Sequence, residues 1–156
     1  CTNFLQNFYQ INKFPVTILR FFLVYGPNQD KNRILPQVIE NCFKNKKFPT
    51  TKGEQNCDFC FVDDAVNAIF KTLVSKKSNG EIINIGSGKP TKIKQLINLV
   101  YKLIGRGKPQ FGKLKYRKET NMNLYPNIKK AKRIIGWYPK TKLIQGLKFT
   151  IATYNK

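Results

Sequence analysis

Apolar residues along the chain follow two rhythms, one helical and one extended, and these predict the elements. Phe4, Leu5, Phe8 and Tyr9 fall at helical spacing, and Asn12 with Pro15 beyond it closes a helix over Thr2–Lys13. Val16–Val24 is a β-branched and aromatic run that suits a strand buried on both faces of a parallel sheet. It ends in the turn cluster Tyr25–Gln29, and a polar loop follows to Arg33. Pro36 fits the first turn of a helix over Leu35–Asn45, and Lys46–Gly53 is a connection with a short extended piece around Phe48. Asp58–Val62 reads as a strand, with Asp63 and Asp64 placed to cap a helix over Ala65–Ser75.

Glu81–Ile85 reads as another strand, and Gly86-Ser87-Gly88 as a tight turn. Thr91 is the expected cap of a strongly amphipathic helix striped by Ile93, Leu96, Ile97, Val100, Leu103 and Ile104, with Gly105 and Gly107 ending it. An extended piece at Lys113–Arg117, a basic helix over Ile128–Ile135 closed by Gly136-Trp137, and a helix over Leu143–Tyr154 complete the pattern. Strands mixed with helices predict an α/β fold, and the strands are few.

At 156 residues and 41% apolar content, the chain can bury the core of one ordinary domain. It opens on Cys1 without a basic-then-apolar leader, so it reads as a fragment of a longer protein. Its apolar runs are too short or too interrupted to span a bilayer. The formal charge of +21, from 29 Lys+Arg against 8 Asp+Glu, invites a nucleic-acid or acidic-lipid reading. That excess is Lys, however, whereas nucleic-acid surfaces lean on Arg, here confined to Arg20, Arg33, Arg106, Arg117 and Arg133. A solvated Lys coat is therefore the expectation, with nucleic acid the weaker alternative. Cys1, Cys42, Cys57 and Cys60 lack a framework spacing and read as free thiols of a cytoplasmic protein. Cys57 and Cys60 form one C-x-x-C without a second pair or any His, too few ligands for a closed zinc site, and no metal is expected. On a strand the two thiols would face opposite sides.

The order of motifs resembles the extended short-chain dehydrogenase/reductases of the NAD-dependent epimerase/dehydratase family, which act on nucleotide sugars. The resemblance rests on Leu19-Arg20 through Val24-Tyr25-Gly26-Pro27, then Ile34-Leu35-Pro36, Gly53 through Cys57-Asp58-Phe59 to Asp63-Asp64, and Asn84-Ile85-Gly86-Ser87-Gly88. Tyr116-Arg117, Gly136-Trp137-Tyr138-Pro139 and Gly146-Leu147 close it. It implies the last strands of a Rossmann-type parallel sheet plus a small mixed α/β substrate-binding domain. Residues 1–30 would be the remnant of the NAD(P)-binding Rossmann domain. Residues 31–156 would be mainly the nucleotide-sugar domain, with strand 81–85 returning to the Rossmann sheet. NAD or NADP would be held mainly by an N-terminal half outside this sequence, and the full-length enzyme could pair as a homodimer.

By the same resemblance, Arg33 with Ile34, Thr50, Cys57, Asn84 and Arg117 would bind the nucleotide-diphosphate sugar, Arg117 as a planar clamp on the phosphates. Phe22 and Leu23 would lie near the sugar and the nicotinamide. Two positions depart from the family pattern: Cys57 stands where it usually has an Arg, and Leu23 where it usually has Asn or Gln. Loss of a cation and an amide at one site implies an altered substrate preference or a decay of function. Tyr9 and Lys13 have the form of the family's Tyr-x-x-x-Lys pair but almost abut the following strand, so Tyr9 reads as helix packing and no catalytic residue is assigned here. Gly86–Thr91 mimics a phosphate loop, yet Ile83 and Pro90 occupy two required positions. The expectation is a nucleotide-sugar-binding part of an epimerase, dehydratase or reductase, inactive by itself; the alternative is a non-catalytic module that needs a partner.

Overall fold

The computed structural model describes residues 1–154. Helix α1, Thr2–Asn12, leads into strands β1, Ile18–Phe21, and β2, Leu23–Tyr25. Then come α2, Ile34–Phe43, β3, Lys47–Pro49, β4, Asn56–Phe61, and α3, Val62–Leu73, with a single 3-10 turn at Lys76–Ser78. The remainder is β5, Ile82–Ile85, β6, Pro90–Lys92, α4, Ile93–Ile104, β7, Lys108–Gln110, β8, Asn123–Leu124, α5, Lys129–Ile135, and α6, Leu143–Ala152.

The run from Val16 to Val24 is one strand in pattern but two in structure. β1 pairs in parallel with β5, Ile18 opposite Ile82, whereas β2 pairs in parallel with β4, Leu23 opposite Phe59. The chain crosses between the sheets at Phe22, whose amide still donates to the Ile85 carbonyl at 3.0 Å. Nor is the run buried on both faces: Phe21 is 41% exposed, because β1 has β5 as its single neighbour in the sheet.

β4 is the strand around which the molecule is organised. It pairs with β2, antiparallel with β6 and in parallel with β8, and its alternate side chains enter two different cores. Cys57, Phe59 and Phe61 join a core with Leu35 and Ile39 of α2, Leu96 and Val100 of α4, and Leu147 of α6. Cys60, on the other face, joins Ala65 and Ala68 of α3, Ile83 and Ile85 of β5, and Trp137. The two thiols of the C-x-x-C therefore diverge. The apolar stripe of α4 faces the first core as its spacing predicts, with Leu103 and Ile104 at the margin.

Three local expectations are corrected. Asp63 and Asp64 do not cap α3, whose N-cap is Phe61 with no side-chain bond; they lie within its first turn, where the dipole favours them. Asp64 instead accepts the backbone amides of Lys140 at 3.0 Å and Thr141 at 2.9 Å, while Trp137 Nε1 donates to the Asp64 carbonyl at 3.0 Å. Thr91 does not cap α4, because it sits in β6 opposite Cys57; the Lys92 amide is satisfied by Gln95 Oε1 at 3.1 Å. Lys113–Arg117 forms no strand. It is a strap pinned by the Leu114 amide on the Thr50 carbonyl and by the Glu54 amide on the Tyr116 hydroxyl, both at 3.0 Å. Tyr9 lays its ring against Gly80, a packing role.

Candidate functional site

The site forms where β2 hands the chain to α2. The connecting loop is tightly tied: Gln29 Nε2 donates to the Val24 carbonyl at 2.8 Å, Asp30 Oδ1 accepts the Asn32 amide at 2.9 Å, and the Arg33 amide donates to the Asp30 carbonyl at 3.0 Å. Asn28 takes the left-handed conformation at φ 58° that short amide side chains tolerate. These bonds set Arg33 as the extended N-cap residue of α2, with its side chain exposed. Arg33 thus brings a cation to the end of α2 at which the helix dipole is positive, two features that both favour an anion.

Two clefts adjoin there and share Ile34. The first, about 430 Å³, is lined by Phe22, Leu23, Tyr25, Gln29, Arg33 and Ile34 among others. The second, about 510 Å³, runs from Ile34 past Asn41, Phe48, Thr50 and Gln55 to Leu114. Five of the residues singled out from the sequence, Phe22, Leu23, Arg33, Ile34 and Thr50, therefore line these two neighbouring clefts, together termed the trough.

Three others lie elsewhere. Arg117 is exposed on the strap and borders a separate depression with Lys118, Glu119 and Thr120. Asn84 stands on β5 opposite Arg20, flanked by the core residues Ile83 and Ile85, and lines neither cleft. Cys57 is 7% exposed in the core between Thr91 and Leu124, and burial pushes its thiol pKa up. It presents no charge to the trough. Gln29 and Gln55 carried no signal in the sequence, since nothing in it marks which amides fold into a cleft.

Burial governs the ionisable groups Tyr25, Cys60 and Asp58. Tyr25 donates its hydroxyl to the Leu143 carbonyl at 3.2 Å, and burial, with Cys60 and Asp64 nearby, raises its pKa far above the ordinary range. Burial holds the Cys60 thiol up at about 12, with Asp64 and Asp58 adding to the effect. Asp58 is fully buried and accepts the Ser87 amide at 2.5 Å and its hydroxyl at 2.9 Å. Burial raises the Asp58 pKa, while the amides of Ser87, Gly88 and Lys89 oppose that by favouring the carboxylate. The turn that resembles a phosphate loop thus directs its amides at an internal carboxylate. Among the described residues, that arrangement does not fit the pyrophosphate of a dinucleotide. No cluster of three or more His, Cys, Asp or Glu side chains is placed for a metal, and no helix is long and apolar enough to cross a membrane, among the described residues.

Residues 2–86, more than half of the chain, match the NAD dependent epimerase/dehydratase family. The chain belongs to this family. It is 32% identical over 141 residues to an uncharacterised UDP-glucose epimerase of Bacillus subtilis, covering 88% of this chain and 44% of that protein. It is 31% identical over 159 residues to human dTDP-D-glucose 4,6-dehydratase, covering 98% and 45% respectively. The chain thus spans about half the length of the curated relatives it matches. Among solved structures, UDP-glucose 4-epimerase from Thermotoga maritima, determined with UDP-glucose, superposes with a TM-score of 0.91 at 28% identity, over 99% of this chain and 50% of that one. UDP-glucuronic acid 4-epimerase from Bacillus cereus, in complex with UDP-glucuronic acid and NAD, gives 0.88 at 26% identity, over 98% and 49%. The mixed α/β architecture with parallel strand pairs is that of these epimerase/dehydratase-family folds.

Proposed function

We propose that residues 1–156 are the nucleotide-sugar-gripping part of an NAD- or NADP-dependent epimerase, dehydratase or reductase, and that the sugar nucleotide lies along the trough on either side of Ile34. The observation that carries this reading is the trough itself. Arg33 lines the first cleft next to Ile34, the residue the two clefts share, while Phe22 and Leu23 on one side and Phe48 and Ile97 on the other supply apolar surface. A diphosphate at the N-terminus of α2 would be met by the guanidinium and the helix dipole together. Leu23 and Phe22 would border the sugar end. In the intact enzyme the cofactor would be bound by a Rossmann half beyond these residues, including the strands that extend the sheet past β1. Arg117 would join the diphosphate only if the strap moved. The free thiols Cys1, Cys42, Cys57 and Cys60 suit a reducing compartment, which supports a cytoplasmic enzyme.

One observation favours a companion reading, a binding module completed by a partner. α1 exposes Phe4 and Ile11, and α3 exposes Val66, Ile69, Phe70 and Leu73 at helical spacing, leaving two apolar faces without cover. The pairing of β1 with β5 alone adds an open parallel edge, which calls for an α/β unit with helices of its own.

Calorimetric titration of the 156-residue chain with UDP-glucose, UDP-glucuronate and dTDP-glucose tests the reading. Saturable binding of at least one is expected, together with no NAD(P)-dependent turnover by the chain alone. Absence of saturable binding to all three overturns the nucleotide-sugar reading, and measurable turnover overturns the assignment of the cofactor to another part.

A further inference from the structure

The chain passes twice from the sheet of β1 and β5 to the sheet built on β4, and the two passages lie side by side. Phe22 makes the first, from β1 to β2, and Gly86–Lys89 makes the second, from β5 to β6. The Phe22 amide on the Ile85 carbonyl, at 3.0 Å, ties one passage to the other. Asp58 holds the second passage from β4. Its Oδ1 accepts the Ser87 amide at 2.5 Å, its Oδ2 accepts the Ser87 hydroxyl at 2.9 Å, and the amides of Gly88 and Lys89 also favour its carboxylate. The clasp is closely fitted, since a Cβ built at Gly86 would lie 2.8 Å from Asp58 Oδ1 and 2.5 Å from Pro126 Cγ.

A fully buried carboxylate is a costly way to fill space. None of the three ion pairs among the described residues includes Asp58, so no paired cation offsets that cost. An apolar side chain could fill the same volume, as apolar residues do when they replace buried ionic groups. It could not fix the direction of the turn, which several donors converging on one carboxylate do. The seam held in this way borders the first cleft. Phe22 and Leu23 reach that cleft from the first passage, and Phe59, the neighbour of Asp58 on β4 and the register partner of Leu23, lines it with them.

We propose that Asp58 is a positioning residue whose carboxylate, acting through Ser87, fixes the angle between the two sheets at their seam and thereby the placement of Phe22 and Leu23 against the bound ligand. Being fully buried, it touches no ligand itself. The assignment rests on the nucleotide-sugar reading and deepens it: the grip depends on a clasp outside the trough, set where the cofactor-bearing sheet of the intact enzyme would meet the substrate part. Ligand-holding groups must keep their places to within about 0.5 Å, so a small rotation at the seam is enough to weaken the grip.

The test labels the 156-residue chain with one spin probe on each side of the seam, at Lys77→Cys beside β5 and Lys102→Cys on α4, both exposed positions, with Cys1→Ser removing the exposed native thiol. Pulsed electron paramagnetic resonance reads the distance between the probes, calorimetry the affinity for UDP-glucose, and thermal unfolding the stability. Asp58→Asn keeps the shape but sets an amide nitrogen against converging donors. It is expected to shift or broaden the distance distribution of the folded chain and to weaken UDP-glucose by about tenfold. Ser87→Ala, a milder loss that covers the case in which Asp58→Asn fails to fold, should weaken it by about threefold, and Ser87→Thr, which keeps the hydroxyl, should return it to within about twofold. A lower melting temperature with distances and affinity unchanged would mean that Asp58 only adds stability, and would overturn the proposal. Changed distances with unchanged affinity would overturn the link from the seam to the trough. If the unaltered chain does not bind UDP-glucose, the nucleotide-sugar reading fails and this assignment falls with it; normal binding by the unaltered chain and by all three variants overturns the Asp58 assignment alone.

Discussion

Asp64 joins two sequence signatures that lie far apart in the chain. Its carboxylate receives the amides of Lys140 and Thr141, and its carbonyl receives the indole of Trp137, so the Asp-Asp start of α3 and the Gly-Trp-Tyr-Pro segment close on each other. Asp64→Ala would strand two backbone amides at a 6% exposed position. It should cost about 2–3 kcal/mol of unfolding free energy, the scale of charge-assisted hydrogen bonds lost together with the desolvation left behind. Urea denaturation measures this, and a loss below about 0.5 kcal/mol would make the pairing incidental. At this scale the sequence is least informative. Asp64 reads as a cap because an acid just before an apolar helix usually is one, and its true partners are more than seventy residues away. Gln29 and Gln55 are unreadable for a related reason, since a place in a cleft is a property of the folded surroundings and not of the residue.

Elements differ in how much of them is local. α4 is legible throughout because its apolar stripe repeats at the helical period over twelve residues and Gly105 closes it in the left-handed conformation at φ 78°. β7 and β8, three and two residues long, have no period to read and exist because β3 and β4 supply partners. The break at Phe22 is hidden in a run with no turn residue, as it is imposed by two sheets competing for one strand. α6 offers a test at this level. Gly146 lets the helix approach the Tyr25 hydroxyl and the ring of Phe61; a Cβ built there would lie 2.8 Å from Phe61 Cδ2. Gly146→Ala improves helix propensity yet forces α6 off the first core. The overpacking is expected to dominate, giving a net loss of about 1–3 kcal/mol and a lower melting temperature. A gain in stability would show that α6 can slide without loss.

At the scale of the whole molecule, charge is the feature that sequence alone makes plain. With 29 basic and 8 acidic residues, self-repulsion opposes compaction wherever salt does not screen it. The three ion pairs among the described residues, Lys44–Glu40, Lys92–Glu54 and Lys130–Glu81, leave most of the lysines without an acidic neighbour. Raising sodium chloride from about 0.02 M to about 0.3 M shortens the screening length from roughly 20 Å to below 8 Å, and the melting temperature should rise over that range. A flat or falling profile would mean that the lysine coat is already spread widely enough to be neutral to folding.

β4 carries a different kind of consequence. Because its odd-numbered side chains fill one core and Cys60 fills the other, gaining or losing a single residue anywhere between Asn56 and Phe61 would exchange the two sets and empty both at once. Substitutions can accumulate along this strand one at a time, but its length cannot drift. In descendants of this gene, insertions and deletions should collect in the strap and the Lys44–Lys46 connection while the six-residue span of β4 stays constant.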